Sequence, residues 1–235
     1  MNHRHSSNRN LTLHTGSTWQ GLPVQTKCGP LIIDYLDRIR QVIQRAVTDH
    51  SRTCVFRCEL KFPDNDYEPD TAVISRFIYS LKSQIVAHEA RKQREGKRVH
   101  HSHLNYVWVK ERDRSAHWHY HVALFVNCDA YFTLGTFKPI HGWMDGELSG
   151  AYSPDSDERN MSDRIRMAWA SALDLHLQDT RGLVHFPKKP TYHLDVKDSD
   201  YDDQFNDVFH RLSYLAKNNT KHFGDCSNNF GSSRR

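Results

Sequence analysis

No stretch of this 235-residue chain approaches the roughly 18 consecutive apolar residues of a membrane span, so no transmembrane helix is expected. The first residues, MNHRHSSNRNLTLHTGS, lack an apolar centre, which argues against a secretory leader. Cysteine is sparse and odd in number: five residues, with no C-x-x-C pair. That pattern fits reduced intracellular thiols and argues against both a disulfide framework and a zinc ribbon. One-sided charge is also missing. Lys and Arg number 32 against 28 Asp and Glu, and the net charge of +4 gives only a faint hint of a nucleic-acid partner. Internal repeats are absent as well.

What is present in excess is histidine, 17 of 235 residues, about 7%. Imidazoles build cores poorly, so some are expected to do chemistry. The hydrophobic content of 37% is enough for a folded core, and a mean hydropathy of −0.75 describes a polar surface around it.

Residues 1–29 carry no periodicity and read as a flexible arm. Pro30 then opens a helical pattern through Ile32, Ile33, Leu36, Ile39, Val42, Ile43 and Val47. Residues 54–62 alternate strictly, with Cys54, Phe56, Cys58, Leu60 and Phe62 on one side, which is a half-buried strand. A second helix follows Pro69-Asp70, with Ile74, Phe77, Ile78, Leu81 and Ile85 at helical spacing, and ends in the basic run Arg91, Lys92, Arg94, Lys97 and Arg98. Strands at about 104–111 and 117–126 form a hairpin. An irregular insertion is expected at 135–160, a helix near 159–177 and short strands at 183–186 and 191–196. A last helix covers about 201–218, and a polar tail runs from 224 to 235. Together these predict one α+β domain over 30–223, a central, mainly antiparallel sheet flanked by helices.

The sequence His117-Trp118-His119-Tyr120-His121 lies at the start of the second hairpin strand. Its three imidazoles point one way, and neighbours two apart sit about 7 Å apart, close enough for two to converge on one metal. Glu111 precedes His119 by eight residues across the hairpin. If the two lie opposite one another, the carboxylate shares the histidine face; a shorter loop pairs Glu111 with His117 instead, and register is not set by sequence. Two imidazoles and a carboxylate suit Mn²⁺ or Mg²⁺ with open positions, or catalytic zinc. In the last helix Tyr214 and Lys217 are three apart and share a polar face with His210 and Lys221. A tyrosine beside a metal site and a lysine has what a nucleophile needs.

A hydrophobic strand with a carboxylate, a His-hydrophobic-His strand and then a Tyr-x-x-Lys helix resembles the HUH endonucleases, single-strand nickases of rolling-circle replication, conjugation and transposition. More narrowly, HWHYHVALFVN followed by YLAKN resembles the inovirus-type replication protein family, which includes gene 2 products and YagK/YfjJ-like proteins of filamentous phages and prophages. The resemblance covers roughly residues 50–222 and implies an HUH/RRM-like, ferredoxin-like core. It further implies a cytoplasmic enzyme of a phage or other mobile element that uses Mg²⁺ or Mn²⁺.

Carried over residue by residue, His119 and His121 match the paired histidines and Glu111 the third ligand, with His117 and Glu59 as reserve ligands. Tyr214 matches the nucleophile, forming a 5′-phosphotyrosine, and Lys217 its companion. Arg57 and Lys61 on the first strand match the lining of a DNA groove. Arg91, Lys92, Arg94, Lys97, Arg98 and Lys221 are further expected DNA contacts. The implied substrate is single-stranded or hairpin origin DNA. No G-x-x-x-x-G-K-[ST] occurs, so a host helicase and polymerase would be separate partners, and no membrane is involved. Two rival readings use the same residues: a metal phosphoesterase with water as nucleophile, and a non-catalytic DNA-binding regulator.

Overall fold

The computed structural model describes residues 2–5, 8–63, 70–112, 118–135, 159–221 and 228–234. His117 and nearly all of the insertion expected at 135–160 lie outside the described residues.

Along the chain run strands β1 (Asn2–Arg4), β2 (Thr12–His14), β3 (Thr18–Trp19), β4 (Leu22–Pro23) and β5 (Leu31–Ile32), followed by helix α1 (Ile33–Asp49). Next come β6 (Arg52–Lys61), α2 (Val73–Arg94), β7 (Asn105–Arg112), β8 (Trp118–Asn127) and α3 (Met161–Leu173). The chain closes with β9 (Val184–His185), β10 (Thr191–Asp195), α4 (Tyr201–Ser213) and β11 (Phe230–Ser232). The main sheet has the order β10-β6-β8-β7-β11, every pairing antiparallel, with β9 extending the β10 edge along β6. Strands β6, β7, β8 and β10, with α2 and α3 between them, make the β-α-β-β-α-β path of a ferredoxin-like core.

Both faces of this sheet are covered. Cys54, Phe56, Cys58, Leu60, Tyr120, Val122, Leu124 and Val126 pack beneath α2 and α3, around the fully buried Trp169. On the other face Val55, Val107, Val109, Ala123 and Phe125 meet α1 and α4. Strand β6 is thus buried on both sides from Thr53 to Phe56, because Val55 is apolar and Thr53 satisfies its hydroxyl on the Ala46 and His50 carbonyls. Only its second half has the half-buried character the alternation implies. Beyond that point the α1/α4 face changes to Arg57, Glu59 and Lys61 on β6, Glu111 on β7, and His119 and His121 on β8. This apolar-to-polar change along one face positions the site.

Helix boundaries follow local chemistry. Asn160 and Asp163 form a reciprocal capping box at the start of α3, each side chain accepting from the other's backbone N–H. Asp174, left-handed at φ 57°, ends that helix earlier than the expected 177. Asp202 and Asp203 in the first turn of α4 and His210 and Arg211 in its last complement the helix dipole.

Two expectations are corrected. Residues 1–29, read as a flexible arm, hold four short strands and bury Leu13, Trp19 and Val24. Trp19 stacks on Phe209 of α4 (5.8 Å between centroids, 16°), and Gln25 N–H donates to Ser213 Oγ at 2.9 Å. A two-residue strand that buries one side chain leaves no period in the sequence, so the packing is invisible there. The tail from 224, read as a simple polar end, supplies edge strand β11, which pairs Phe230, Gly231 and Ser232 with Val109, Trp108 and Val107. Gly231 is required: a Cβ there would lie 2.4 Å from the Trp108 indole.

Candidate metal centre and tyrosine

Register decides which side chains meet. Glu111 lies opposite His119 on the β7–β8 pairing, while β6 sets Glu59 opposite His121 and Lys61 opposite His119. Glu59, His119 and His121 each bring one ligand atom to within 4.8 Å of the other two. The imidazole rings of His119 and His121 stand 4.9 Å apart at 85°, and Glu59 Oε1 is 3.8 Å from His119 Nε2. A carboxylate with two imidazoles, all half-buried, is a donor set that fits a divalent cation with open coordination positions.

The structure therefore brings His119 and His121 together as expected but gives them Glu59, the reserve candidate, as the converging carboxylate. Glu111 is placed differently. It is fully buried, its Oε2 2.8 Å from Lys217 Nζ and 3.4 Å from His121 Nε2, and its Oε1 accepts from Lys221 Nζ. Burial opposes its ionisation, but the His121 hydrogen bond and the charges of Lys221, His121 and Lys217 outweigh it and hold the carboxyl well below the usual carboxylate range. With both oxygens committed to lysines, Glu111 stands behind His121 as the outer carboxylate that orients a ligating imidazole. Lys221, expected as a DNA contact, is corrected for the same reason. Its side chain is 0% exposed, and burial pushes its ammonium down to about 8 against the pull of Glu111.

Tyr214 is not on the helix proper. The last helix ends at Ser213, and Tyr214–Ala216 form a 3₁₀ turn after which Lys217 is extended and bridges to Leu31. Lys217 nevertheless folds back: its ammonium donates to Tyr214 Oη at 2.5 Å and lies 3.9 Å from the ring centroid. Burial opposes its charge, but the Glu111 carboxylate and the hydrogen bonds to Glu111 and Tyr214 raise its pKa above the ordinary lysine value. The Tyr214 ring meets His121 edge-on, 5.7 Å between centroids at 89°. A cleft of about 200 Å³ opens here, lined by Arg57, Glu59, His121, Pro187, Arg211 and Tyr214. Burial and the nearby like charge of Arg211 lower the pKa of Arg57, an arrangement that an anion in the cleft would relieve.

Lys61 is exposed beside this site, but the run Arg91, Lys92, Arg94, Lys97 and Arg98 is not part of it. That run ends α2, which packs on the opposite face, and leads to the start of β7, six residues from Glu111 along the strand. Within the run Arg91 and Lys97 pair with Glu95, at 3.7 and 2.8 Å. Two residues of the site went unnoticed in the sequence. His185 on β9 lies opposite Glu59, with Nδ1 3.1 Å from Glu59 Oε2, and the short apolar strand around it gave no signal. Arg211, one helical turn before Tyr214, could have been found from that spacing.

The site thus sets two histidines and a glutamate of an antiparallel sheet beside a lysine-bonded tyrosine. The chain belongs to the YagK/YfjJ C-terminal domain family, whose model matches residues 15–233. It is 34% identical over 217 residues to Uncharacterized protein YagK of Escherichia coli (strain K12), covering 88% of this chain and 95% of that one. It is 31% identical over 211 residues to Uncharacterized protein YfjJ of the same organism, covering 85% and 93%. No solved structure matches the chain. Among the described residues, no helix is long and apolar enough to cross a membrane.

Proposed function

We propose that this protein is a metal-dependent single-strand DNA nickase and ligase of the HUH type, acting on origin DNA of a mobile element in the bacterial cytoplasm. The observation that carries the reading is the Tyr214 hydroxyl, bonded by the Lys217 ammonium and set against the ring of His121, one of three clustered metal donors.

Glu59, His119 and His121 would hold Mg²⁺ or Mn²⁺, which supplies positive charge for the non-bridging oxygens of a scissile phosphate. Arg57 and Arg211 line the cleft and would contact the neighbouring phosphates of a strand bound there. Tyr214 Oη attacks phosphorus in line. The new O–P bond replaces the P–O3′ bond, the phenol proton is released, and the departing 3′ oxygen takes up a proton to become a free 3′-OH. The strand is left as a 5′-phosphotyrosine. Lys217 stabilises the negative charge that develops on the phenol oxygen. The phosphodiester is conserved in the adduct, so the reverse attack by a 3′-OH rejoins strands without ATP. A separate helicase and polymerase would act on the exposed end.

The test is an adduct assay with labelled circular and linear single-stranded DNA, with Mn²⁺ or EDTA, on a denaturing gel. Wild-type protein should give a Mn²⁺-dependent, protease-sensitive labelled adduct, and Tyr214→Phe should lose it while retaining DNA binding. An undiminished adduct in Tyr214→Phe removes the assigned nucleophile. Metal-dependent nicking without an adduct, retained in that variant, replaces the reading by a water-using phosphoesterase.

A further inference from the structure

A second group of metal-ligating side chains lies away from Tyr214, on the α2/α3 face and at the other end of the sheet. Cys54 on β6 is directly opposite His193 on β10, and Cys128 follows β8, whose Val126 is the other neighbour of Cys54. The three residues are scattered over the sequence, yet one ligand atom from each lies within 4.8 Å of the other two. Five residues of β6, about 17 Å at the rise of a strand, separate Cys54 from Glu59, so the two groups are independent.

The surroundings are those of ligands held in place. The thiols are buried, Cys54 at 0% and Cys128 at 5% exposure, while the imidazole reaches solvent. His193 Nε2 is 3.0 Å from the carbonyl of Phe132, an atom that can only accept. The hydrogen is therefore on Nε2, and in the neutral ring Nδ1 keeps its lone pair, the tautomer that a backbone carbonyl typically imposes on a metal-bound histidine. The same carbonyl lies 3.1 Å from Cys54 Sγ. The Phe132 ring, 57% exposed, stacks on His193 at 4.5 Å and 18°, fixing the plane of the imidazole.

We propose that Cys54, Cys128 and His193 bind one Zn²⁺ ion, which ties edge strand β10 and the turn after β8 to central strand β6. Two sulfurs and an imidazole are the donors that a borderline-soft, tetrahedral d¹⁰ cation prefers over the hard cations suited to Glu59, His119 and His121. Three protein ligands leave the fourth position to water. Binding forms two Zn–S bonds and one Zn–N bond and releases the two thiol protons to solvent.

The full chain, reduced and stripped with a chelator, is titrated anaerobically with Co²⁺ and then Zn²⁺. One equivalent of Co²⁺ should give a sulfur-to-cobalt charge-transfer band that Zn²⁺ abolishes. Cys54→Ser and Cys128→Ser should each remove the band, and His193→Gln, on the solvent-exposed edge, should weaken binding by about tenfold or more. Glu59→Gln and Cys28→Ser should keep it. Should either buried serine variant fail to fold, His193→Gln and protection of the wild-type thiols from alkylation by Zn²⁺ carry the test. Cobalt binding to wild type without the sulfur band overturns the proposal. So does a band of undiminished affinity in His193→Gln.

Discussion

Glu111→Gln removes the anion that, among the described residues, pairs with the two buried ammonium groups of Lys217 and Lys221. The side chains of Glu111, Lys217 and Lys221 are 0%, 7% and 0% exposed, so water cannot replace the lost carboxylate without opening the structure. Breaking a buried ion pair from one side costs about 3–5 kcal/mol. In a domain of this size each kcal/mol moves Tm by about 2–4 °C, so the expected fall at pH 7 is about 6–20 °C. Thermal melts followed by circular dichroism measure it. The sign of the pH dependence follows from the lysines. In the variant Lys221, already held below the unfolded lysine value of about 10.4 by burial, drops further, and Lys217 loses the carboxylate that held its pKa up against burial, so the folded state binds fewer protons than the unfolded one. Stability is then regained as pH rises through the lowered folded value towards the unfolded one, and the defect should shrink between neutral pH and about pH 10. Adding Lys221→Met removes one of the stranded charges, so the double variant should lose about 0.5–3 kcal/mol less than the sum of the single changes. A Tm fall below about 2 °C, or strict additivity in the double variant, would refute the buried-charge argument.

Trp19→Ala should destabilise the protein by about 3–5 kcal/mol in urea or thermal unfolding, because Trp19 is 5% exposed and stacks on Phe209; a freely moving arm would give almost no change. Gly231→Ala should cost about 1–3 kcal/mol and shift tryptophan fluorescence as the new methyl displaces Trp108 or unpairs β11, and an unaltered melt and spectrum would contradict the close approach. Arg57→Ala and Arg211→Ala should each weaken single-stranded DNA binding and lower its salt dependence by about one phosphate contact, whereas Lys97→Ala with Arg98→Ala should change it little, since that pair is not in the cleft lining and follows the end of α2, which packs on the opposite face. Equal losses from both sets, in salt-dependent binding titrations, would mean that the cleft is not the path of the strand.

The sequence alone determined the elements that repeat with a local period. The alternation of 54–62, the helical spacing around Leu36 and around Phe77, and the His-x-His strand are each written within ten to twenty residues. Burial of one face demands that pattern, so it can be read without the fold. Those elements carry the antiparallel α+β sheet, and with it the pairing of His119 and His121 and the nearness of Tyr214 to Lys217. Only the tertiary structure chose between Glu59 and Glu111. Both carboxylates lie on the histidine face, and the choice rests on two lysines from beyond α4 filling the space behind Glu111. The same limit hid Trp19, strand β11, His185 and the Cys54, Cys128 and His193 group. Each depends on which strands become neighbours and in what register, and contacts between distant segments leave no periodic trace in either partner.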